Sequence, residues 1–240
     1  MEARDGPLIK AMSGLADLYP RYGYRRIQVF MERLGHFMGP DRAFRLWSKA
    51  SLQVPKKRVS QTRSRPQLPV GINEVWAYDF VYDACANGQP LKCLSVIDEY
   101  TRECLAIDVA GSIRSGRVIE VLSRLASERG APRYLRSDNG PEFVSKALLR
   151  WAANESLGLT LIDPGKPWQN GMVESFNGKF RDECLSMEWF RSRVEAKVVI
   201  EDWRRLYSDV RPHSSLGKMT PRDFAAMNGK NLNLRVTLNN

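Results

Sequence analysis

Residues 75–98, VWAYDFVYDACANGQPLKCLSVID, decide the fold of this chain. Aromatic and β-branched residues predict a strand over Val75–Asp83, Asn87-Gly88 predicts a tight hairpin turn, and Leu91–Asp98 predicts the returning strand. Asp79 places a charge inside the first strand, which is costly unless the carboxylate is paired or binds a metal. The stretch therefore predicts an antiparallel pair of strands with an acidic group built into it.

Alternating strand and helix patterns follow this hairpin. In chain order, the pattern predicts a strand at Glu103–Ala110, a helix at Arg114–Arg129, a strand at Arg133–Arg136, a helix at Ser145–Leu157, a strand at Leu159–Ile162, and helices at Met172–Leu185 and Arg193–Tyr207. Tight turns join antiparallel strands and helices join parallel ones, so the sheet is expected to be mixed. The fold class is α/β, with a five-stranded sheet flanked by helices.

The N-terminal segment is expected to form a small helical domain that resembles a helix-turn-helix unit. Its helices are predicted at Leu8–Leu18, Tyr24–Leu34 and Pro40–Lys49. The third helix would offer Arg42 and Arg45 to DNA. The alternative is an ordinary three-helix packing unit without groove contacts, and the acid Asp41 at the start of the third helix favours that alternative.

The positive charge is concentrated at the N-terminus. The net charge is +10, and nearly all of it falls in residues 1–69, which contain 14 Lys and Arg but 5 Asp and Glu. Such a basic segment is typical of phosphate binding, although a solvated arm that aids solubility has the same composition. The linker includes Lys56, Lys57 and Arg58, which would follow a DNA backbone.

Composition and patterning give the organisation and location of the chain. Apolar residues make up 43%, no apolar run is long enough to span a bilayer, and no signal peptide opens the chain. We therefore expect a cytoplasmic protein with no membrane partner. The expected domains are a helical DNA-binding-like domain at 1–50, a basic linker at 51–72, a catalytic core at 73–190 and a C-terminal helical extension at 191–240.

Three acidic residues are the candidate catalytic groups. Asp79 lies in a strand, Asp138 follows a strand and opens an Asn-Gly-Pro turn, and Glu174 lies in the first turn of a helix. Carboxylates on three separate elements can hold two hard divalent cations, which clamp the attacking and leaving oxygens of a phosphodiester. Mg²⁺ or Mn²⁺, with two ions per active site, is the expected cofactor. The alternative for each acid is local: a salt bridge, an Asx turn and a helix-start charge.

The segments around these acids resemble the second-frame (OrfB) transposases of bacterial insertion sequences, which share a DDE catalytic core with retroviral integrases. The resemblance is carried by Asn73–Phe80, Ser137–Phe143, Pro164–Gly178 and Arg211–Gly217, and it extends over most of the chain. It implies a ribonuclease H-like fold, with Asp79, Asp138 and Glu174 as catalytic metal ligands. It also implies DNA strand cleavage and strand transfer, and thus DNA integration and recombination for a mobile element.

Further residues near Glu174 are candidates for DNA contact. Lys179 and Arg181 could hold a phosphate, Asn177 could orient DNA or a carboxylate, and Trp168 could stack on a base. Surface ion pairing of Arg181 and simple packing of Trp168 are the alternatives.

The expected partners are double-stranded DNA at the element ends and the target, further copies of the chain on DNA, and the upstream-frame (OrfA) product. We expect association with the bacterial nucleoid. Two other functions fit parts of the pattern: a catalytically inactive DNA-binding protein derived from a transposase, and a ribonuclease H-like nuclease.

Overall fold

A computed structural model describes residues 2–54, 69–138, 145–161 and 171–237. Its internal contacts divide the chain into two compact units, Met1–Thr62 and Arg63–Asn240. None of the helices in the described ranges has both the length and the apolar character needed to cross a membrane.

The first unit contains three helices: α1 at Glu2–Leu18, α2 at Tyr24–Arg33 and α3 at Pro40–Lys49. Its core includes Met12, Ile27, Met31 and Leu46, all fully buried. Helix α1 begins earlier than the sequence predicts, and Pro7 lies inside it. The fixed φ of proline is compatible with a helix, so α1 continues through Pro7 with the loss of one backbone hydrogen bond.

The second unit is built on a five-stranded sheet in the order β3-β2-β1-β4-β5. The strands are β1 at Val75–Ala84, β2 at Pro90–Asp98, β3 at Cys104–Ala110, β4 at Tyr134–Ser137 and β5 at Gly158–Leu161. The first three strands pair antiparallel, whereas β1 with β4 and β4 with β5 pair parallel. This arrangement confirms the predicted mixed sheet and its flanking helices.

The helices of this unit cover both faces of the sheet. They are α4 at Ser115–Arg129, α5 at Lys146–Asn154, α6 at Gly171–Phe180, α7 at Arg193–Arg205 and α8 at Pro221–Thr237. One apolar cluster joins the sheet to α4 and α5, and a second joins its other face to α6 and α7. Helices α6 and α7 continue directly into π-helical turns at Arg181–Leu185 and Leu206–Val210.

Candidate active site

The central strand β1 presents Asp79 on the face that α6 covers. Ala77 and Val81, two positions before and after Asp79, belong to the buried cluster of that face, and side chains alternate between faces along a strand. Oδ1 of Asp79 accepts a hydrogen bond from the backbone N–H of Phe80 at 2.7 Å, and Oδ2 accepts one from Nδ2 of Asn177 at 2.9 Å. Both oxygens of this partly buried carboxylate are therefore held in place.

Asp138 directly follows the neighbouring strand β4. Strands β1 and β4 pair in parallel up to Ala77 opposite Arg136, and Asp79 and Asp138 each follow two residues later. Because side chains repeat every second residue, both carboxylates belong to the same face. Neighbouring strands are about 4.8 Å apart, so two chain segments that carry an aspartate run side by side. Asp138 is exposed at the end of β4.

Glu174 comes from the other layer, in the first turn of α6. It is exposed, whereas Asn177, three residues later, is buried. Residues three apart lie on the same side of a helix, so α6 brings an acidic side chain to the side on which Asn177 holds Asp79.

The three carboxylates interact electrostatically. Burial raises the pKa of Asp79 to about 6, and the negative charges of Asp138 and Glu174 act in the same direction. The hydrogen bonds from Phe80 and Asn177 oppose this rise.

A buried hydroxyl orients the amide that holds Asp79. Ser95 on β2 is fully buried, and its Oγ lies 2.8 Å from Oδ1 of Asn177, to which it donates. The nitrogen of the amide consequently faces Asp79. The sequence analysis missed Ser95. The signal that could have identified it is a small polar residue among the apolar residues of β2.

A buried ion pair involves Arg136, which lies two residues before Asp138. Nη1 of Arg136 is 2.7 Å from Oε2 of Glu99, and the two side chains are 11% and 1% exposed. Burial raises the pKa of Glu99, whereas the charge of Arg136 lowers it. Sequence analysis missed this pair because its members lie on different elements and share no local pattern.

The donor set of the three acids fits a hard divalent cation. Carboxylate oxygens are the ligands that Mg²⁺ and Mn²⁺ prefer. The pKa of Asp79 is raised chiefly by burial, and the negative charges of Asp138 and Glu174, which a cation would neutralise, raise it further. Within the described ranges, no three His, Cys, Asp or Glu side chains are grouped closely enough to enclose an ion.

The candidate DNA-contact residues of α6 have different surroundings. Asn177 is 7% exposed and orients a carboxylate, one of the two roles that the sequence leaves open. Nζ of Lys179 donates to the carbonyl and hydroxyl oxygens of Ser175, both at 2.9 Å. Arg181 is exposed, and its Nη1 donates to the carbonyl oxygen of Tyr82 at 3.2 Å.

In the N-terminal unit, two candidate arginines contact an acid on α1. Nη2 of Arg42 is 2.8 Å from Asp5, and Nη2 of Arg45 is 3.7 Å from it. The hydrogen bond from Arg42 lowers the pKa of Asp5. Both arginines retain substantial exposure, 39% and 57% of their side chains. The remaining candidates lie outside the described residues: Lys56, Lys57, Arg58 and Trp168.

The second unit matches a known domain family. Two family models, each described as an integrase core domain, match residues 70–167 and 156–221. These ranges contain all five strands and all three carboxylates. The unit is therefore an integrase-type core.

Relatives of the whole chain are proteins of bacterial insertion elements. A 39.2 kDa protein of insertion element IS476 from Xanthomonas euvesicatoria is 42% identical over 92% of this chain, which spans 66% of that protein. A 31.7 kDa protein of IS407 from Burkholderia multivorans is 45% identical over 86% of this chain, which spans 76% of that protein. The chain belongs to the family of bacterial insertion-element transposases with an integrase core.

Solved retroviral integrases share the fold. One chain of the simian T-cell lymphotropic virus intasome aligns with 89% of this chain and 74% of its own length, at 14% identity and a TM-score of 0.55. The HTLV-2 integrase catalytic core, solved in complex with magnesium, aligns with 65% of this chain and 98% of its own length, at 16% identity and a TM-score of 0.50. At such identities the likeness concerns the fold.

Proposed function

We propose that Asp79, Asp138 and Glu174 form the active site of a polynucleotidyl transferase that cuts the ends of a mobile element and joins them to target DNA. The observation that carries this proposal is that Asp79 and Asp138 each follow, two residues later, the Ala77–Arg136 pair of two parallel strands, and that the charges of Asp138 and Glu174 both act on Asp79. Two acids on one sheet face and a third on the helix that covers it would otherwise repel one another without structural benefit.

The three carboxylates would hold divalent cations, Mg²⁺ or Mn²⁺, with two ions per site. Such ions would supply Lewis-acid activation of the attacking oxygen and charge stabilisation of the departing one. The magnesium in the HTLV-2 integrase core supports this choice.

The protein groups around the carboxylates prepare Asp79 for this role. The amide of Asn177, oriented by Ser95, donates to Oδ2 of Asp79, and the N–H of Phe80 donates to Oδ1. Hydrogen bonds to both oxygens favour the ionised form, which a metal ligand must have. They also fix the plane of the carboxylate before any substrate arrives.

DNA would be held by positive charge beside the acids and in the N-terminal unit. Lys179 and exposed Arg181 lie on the helix that carries Glu174, and Arg42 and Arg45 remain accessible beside Asp5. The basic linker, with Lys56, Lys57 and Arg58, would add contacts to the phosphate backbone. Joining two element ends to one target requires more than one active site on DNA, so we infer a homo-oligomer, assisted by the upstream-frame product.

A strand-transfer assay tests this function. The full chain, with and without the upstream-frame product, is incubated with a pre-cut element end, target plasmid and Mg²⁺. The wild type should join the two DNAs, Asp138→Asn should abolish joining, and both should bind DNA. Asp83→Asn is the matched control, because Asp83 lies on β1 and accepts a backbone N–H from the next residue as Asp79 does.

Two outcomes would contradict the proposal. Near-normal joining by Asp138→Asn would remove that residue from the active site. DNA binding by the wild type without any cleavage or joining would favour an inactive DNA-binding protein, and hydrolysis of an RNA–DNA hybrid without joining would favour a ribonuclease H-like nuclease.

A further inference from the structure

A buried ion pair connects the end of α6 to the segment that follows α7. Nε and Nη2 of Arg211 donate to the two carboxylate oxygens of Glu183 at 2.7 Å and 2.5 Å, and the two side chains are 1% and 6% exposed. Two parallel hydrogen bonds between a guanidinium and a carboxylate fix orientation as well as distance. Arg211 opens the Arg-Pro-His-Ser-Ser-Leu-Gly stretch, to which the proposed chemistry gives no role.

Glu183 belongs to the same continuous helix as Glu174. Its π-helical turn, Arg181–Leu185, follows α6 without a break. A rotation or shift of the helix at Glu183 would therefore be transmitted to Glu174 and to Asn177, which holds Asp79.

Aromatic contacts provide a second connection to the same part of α6. The ring of Tyr207 packs edge-on against Phe176 at 4.9 Å and against His213 at 4.7 Å, and the guanidinium of Arg211 lies 5.5 Å from its centroid. Phe176 is fully buried and directly precedes Asn177. The segment around Arg211 thus makes two contacts with this helix, one at Glu183 in the turn that follows α6 and one at Phe176, next to Asn177.

Arg204 and Ser208, which precede Arg211 in the chain, are hydrogen-bonded to the sheet. The backbone N–H of Cys104 on β3 donates to Oγ of Ser208, and its carbonyl oxygen accepts from Nη1 of Arg204 at 2.9 Å. The position of Arg211 is therefore defined relative to the sheet that carries Asp79, independently of the hydrogen bond between Asn177 and Asp79.

Stability alone does not explain a buried ion pair. The cost of removing two charges from water cancels most of their attraction, and apolar replacements of both partners are often neutral or stabilising. What apolar side chains lack is the directional, two-point geometry of the pair.

We propose that Arg211 and Glu183 are positioning residues that set the rotation and axial position of α6, and with them the side of the helix on which Glu174 and Asn177 lie relative to Asp79. This role rests on the proposed function, since it gives the Arg211–Gly217 segment a part in assembling that active site.

Two variants and one control test the proposal in the full chain. Arg211→Lys keeps the charge but loses the two-point geometry, and the double variant Arg211→Met with Glu183→Leu removes both charges together. Leu125→Ala is the control, because Leu125 is buried in the α4 cluster on the opposite face of the sheet, so it lowers stability without touching α6. Tm, kcat and KM for a pre-cut DNA end, and hydrogen exchange of the α6 amides are measured for each.

Arg211→Lys should lower kcat about tenfold or more, since small misplacements of catalytic groups have effects of this size, and should leave KM within about twofold. The double variant should regain the Tm of the wild type while its kcat stays low, and exchange of the α6 amides should increase in both. Leu125→Ala should lower Tm and keep kcat. A double variant that regains kcat together with Tm would overturn the positioning role and leave a purely structural one.

Failure of the proposed function gives a different result. If the wild type joins no DNA under any condition, the proposed function fails, and hydrogen exchange then decides the positioning claim. Unchanged exchange of the α6 amides in both Arg211 variants would refute it.

Discussion

Asn177 donates a hydrogen bond to Asp79 across 98 positions of sequence, at 2.9 Å, from the same helix that carries Glu174. One helix thus supplies an acid to the site and also orients an acid that belongs to the sheet. Replacement of Asn177 tests this link without altering the overall charge of the three acids.

Asn177→Ala should remove a hydrogen bond to a charged group, an interaction worth about 1.5–3 kcal/mol. The ionised form of Asp79 then loses support, and the single-turnover joining rate should fall by about 10- to 100-fold. Ser186→Ala, an exposed change directly after the end of the same helix, serves as the control. An unchanged rate for Asn177→Ala with a lowered Tm would show that the amide only stabilises the fold.

The raised pKa of Asp79 predicts a pH-dependent stability in metal-free protein. Because the pKa in the folded state, about 6, exceeds the ordinary value, this group contributes most to stability at low pH, and its contribution is lost as the pH rises from about 4 through 6. The Tm of the wild type in EDTA should therefore fall relative to that of Asp79→Asn over this range. A difference in Tm that does not vary with pH would contradict the raised pKa.

Divalent cations should be required for cleavage and joining. Mg²⁺ and Mn²⁺ should support both steps, and Ca²⁺, with its looser coordination, should support DNA binding without turnover. Joining of a pre-cut end is measured with each ion and with EDTA. Robust joining in EDTA would exclude carboxylate-bound metal chemistry.

Arg181 should act on DNA rather than on the fold. Its side chain is exposed and donates to a single backbone carbonyl, that of Tyr82. Arg181→Ala should therefore cost at most about 1 kcal/mol of stability but lower the joining rate by about one to two orders of magnitude, if the guanidinium contacts a phosphate. Tm and single-turnover rate are measured on one preparation, and a lower Tm with an unchanged rate would refute the DNA contact.

Asp5 should restrain the DNA contacts of the N-terminal unit. Its carboxylate pairs with Arg42 and Arg45, so phosphate must compete with it for both side chains. Asp5→Asn should increase DNA affinity, and the log–log dependence on salt should steepen by up to about 0.9 for each new phosphate contact. Asp17→Asn, another acid of α1, is the control. Unchanged affinity for Asp5→Asn would favour a simple packing role for the unit.

Local sequence patterns predicted the sheet closely. The Asn87-Gly88 turn set the β1–β2 hairpin, and each strand of the sheet begins and ends within about one residue of its predicted bounds. Helix α8 had a local signal too: Oγ1 of Thr220 accepts from the N–H of Asp223, and Pro221 follows as the first helical residue. The sequence analysis does not use this capping pattern to predict the start of α8.

The supporting groups of the site could not be predicted in this way. Ser95 meets Asn177, and Glu183 meets Arg211, only because separate elements pack together. Hydrophobic periodicity specifies which face of an element is buried, but it does not specify which polar group on another element will be its partner. Asp79 and Asp138 are candidates because one interrupts a strand and the other follows a strand. Glu174 lies in the first turn of a helix, where an acid is common, so it is a candidate mainly through the resemblance.

Asp138 follows Arg136 by two residues, as Asp79 follows Ala77, and this spacing limits which length changes an insertion element can tolerate in its gene. A gain or loss of one codon within β4 shifts Asp138 to the opposite face of the sheet, because successive side chains point to opposite faces. Under the proposed function, copies of the gene with an in-frame length change there would still encode a sheet protein but would no longer support transposition. The length of this short strand would then be as strict a requirement as the identity of the acid that follows it.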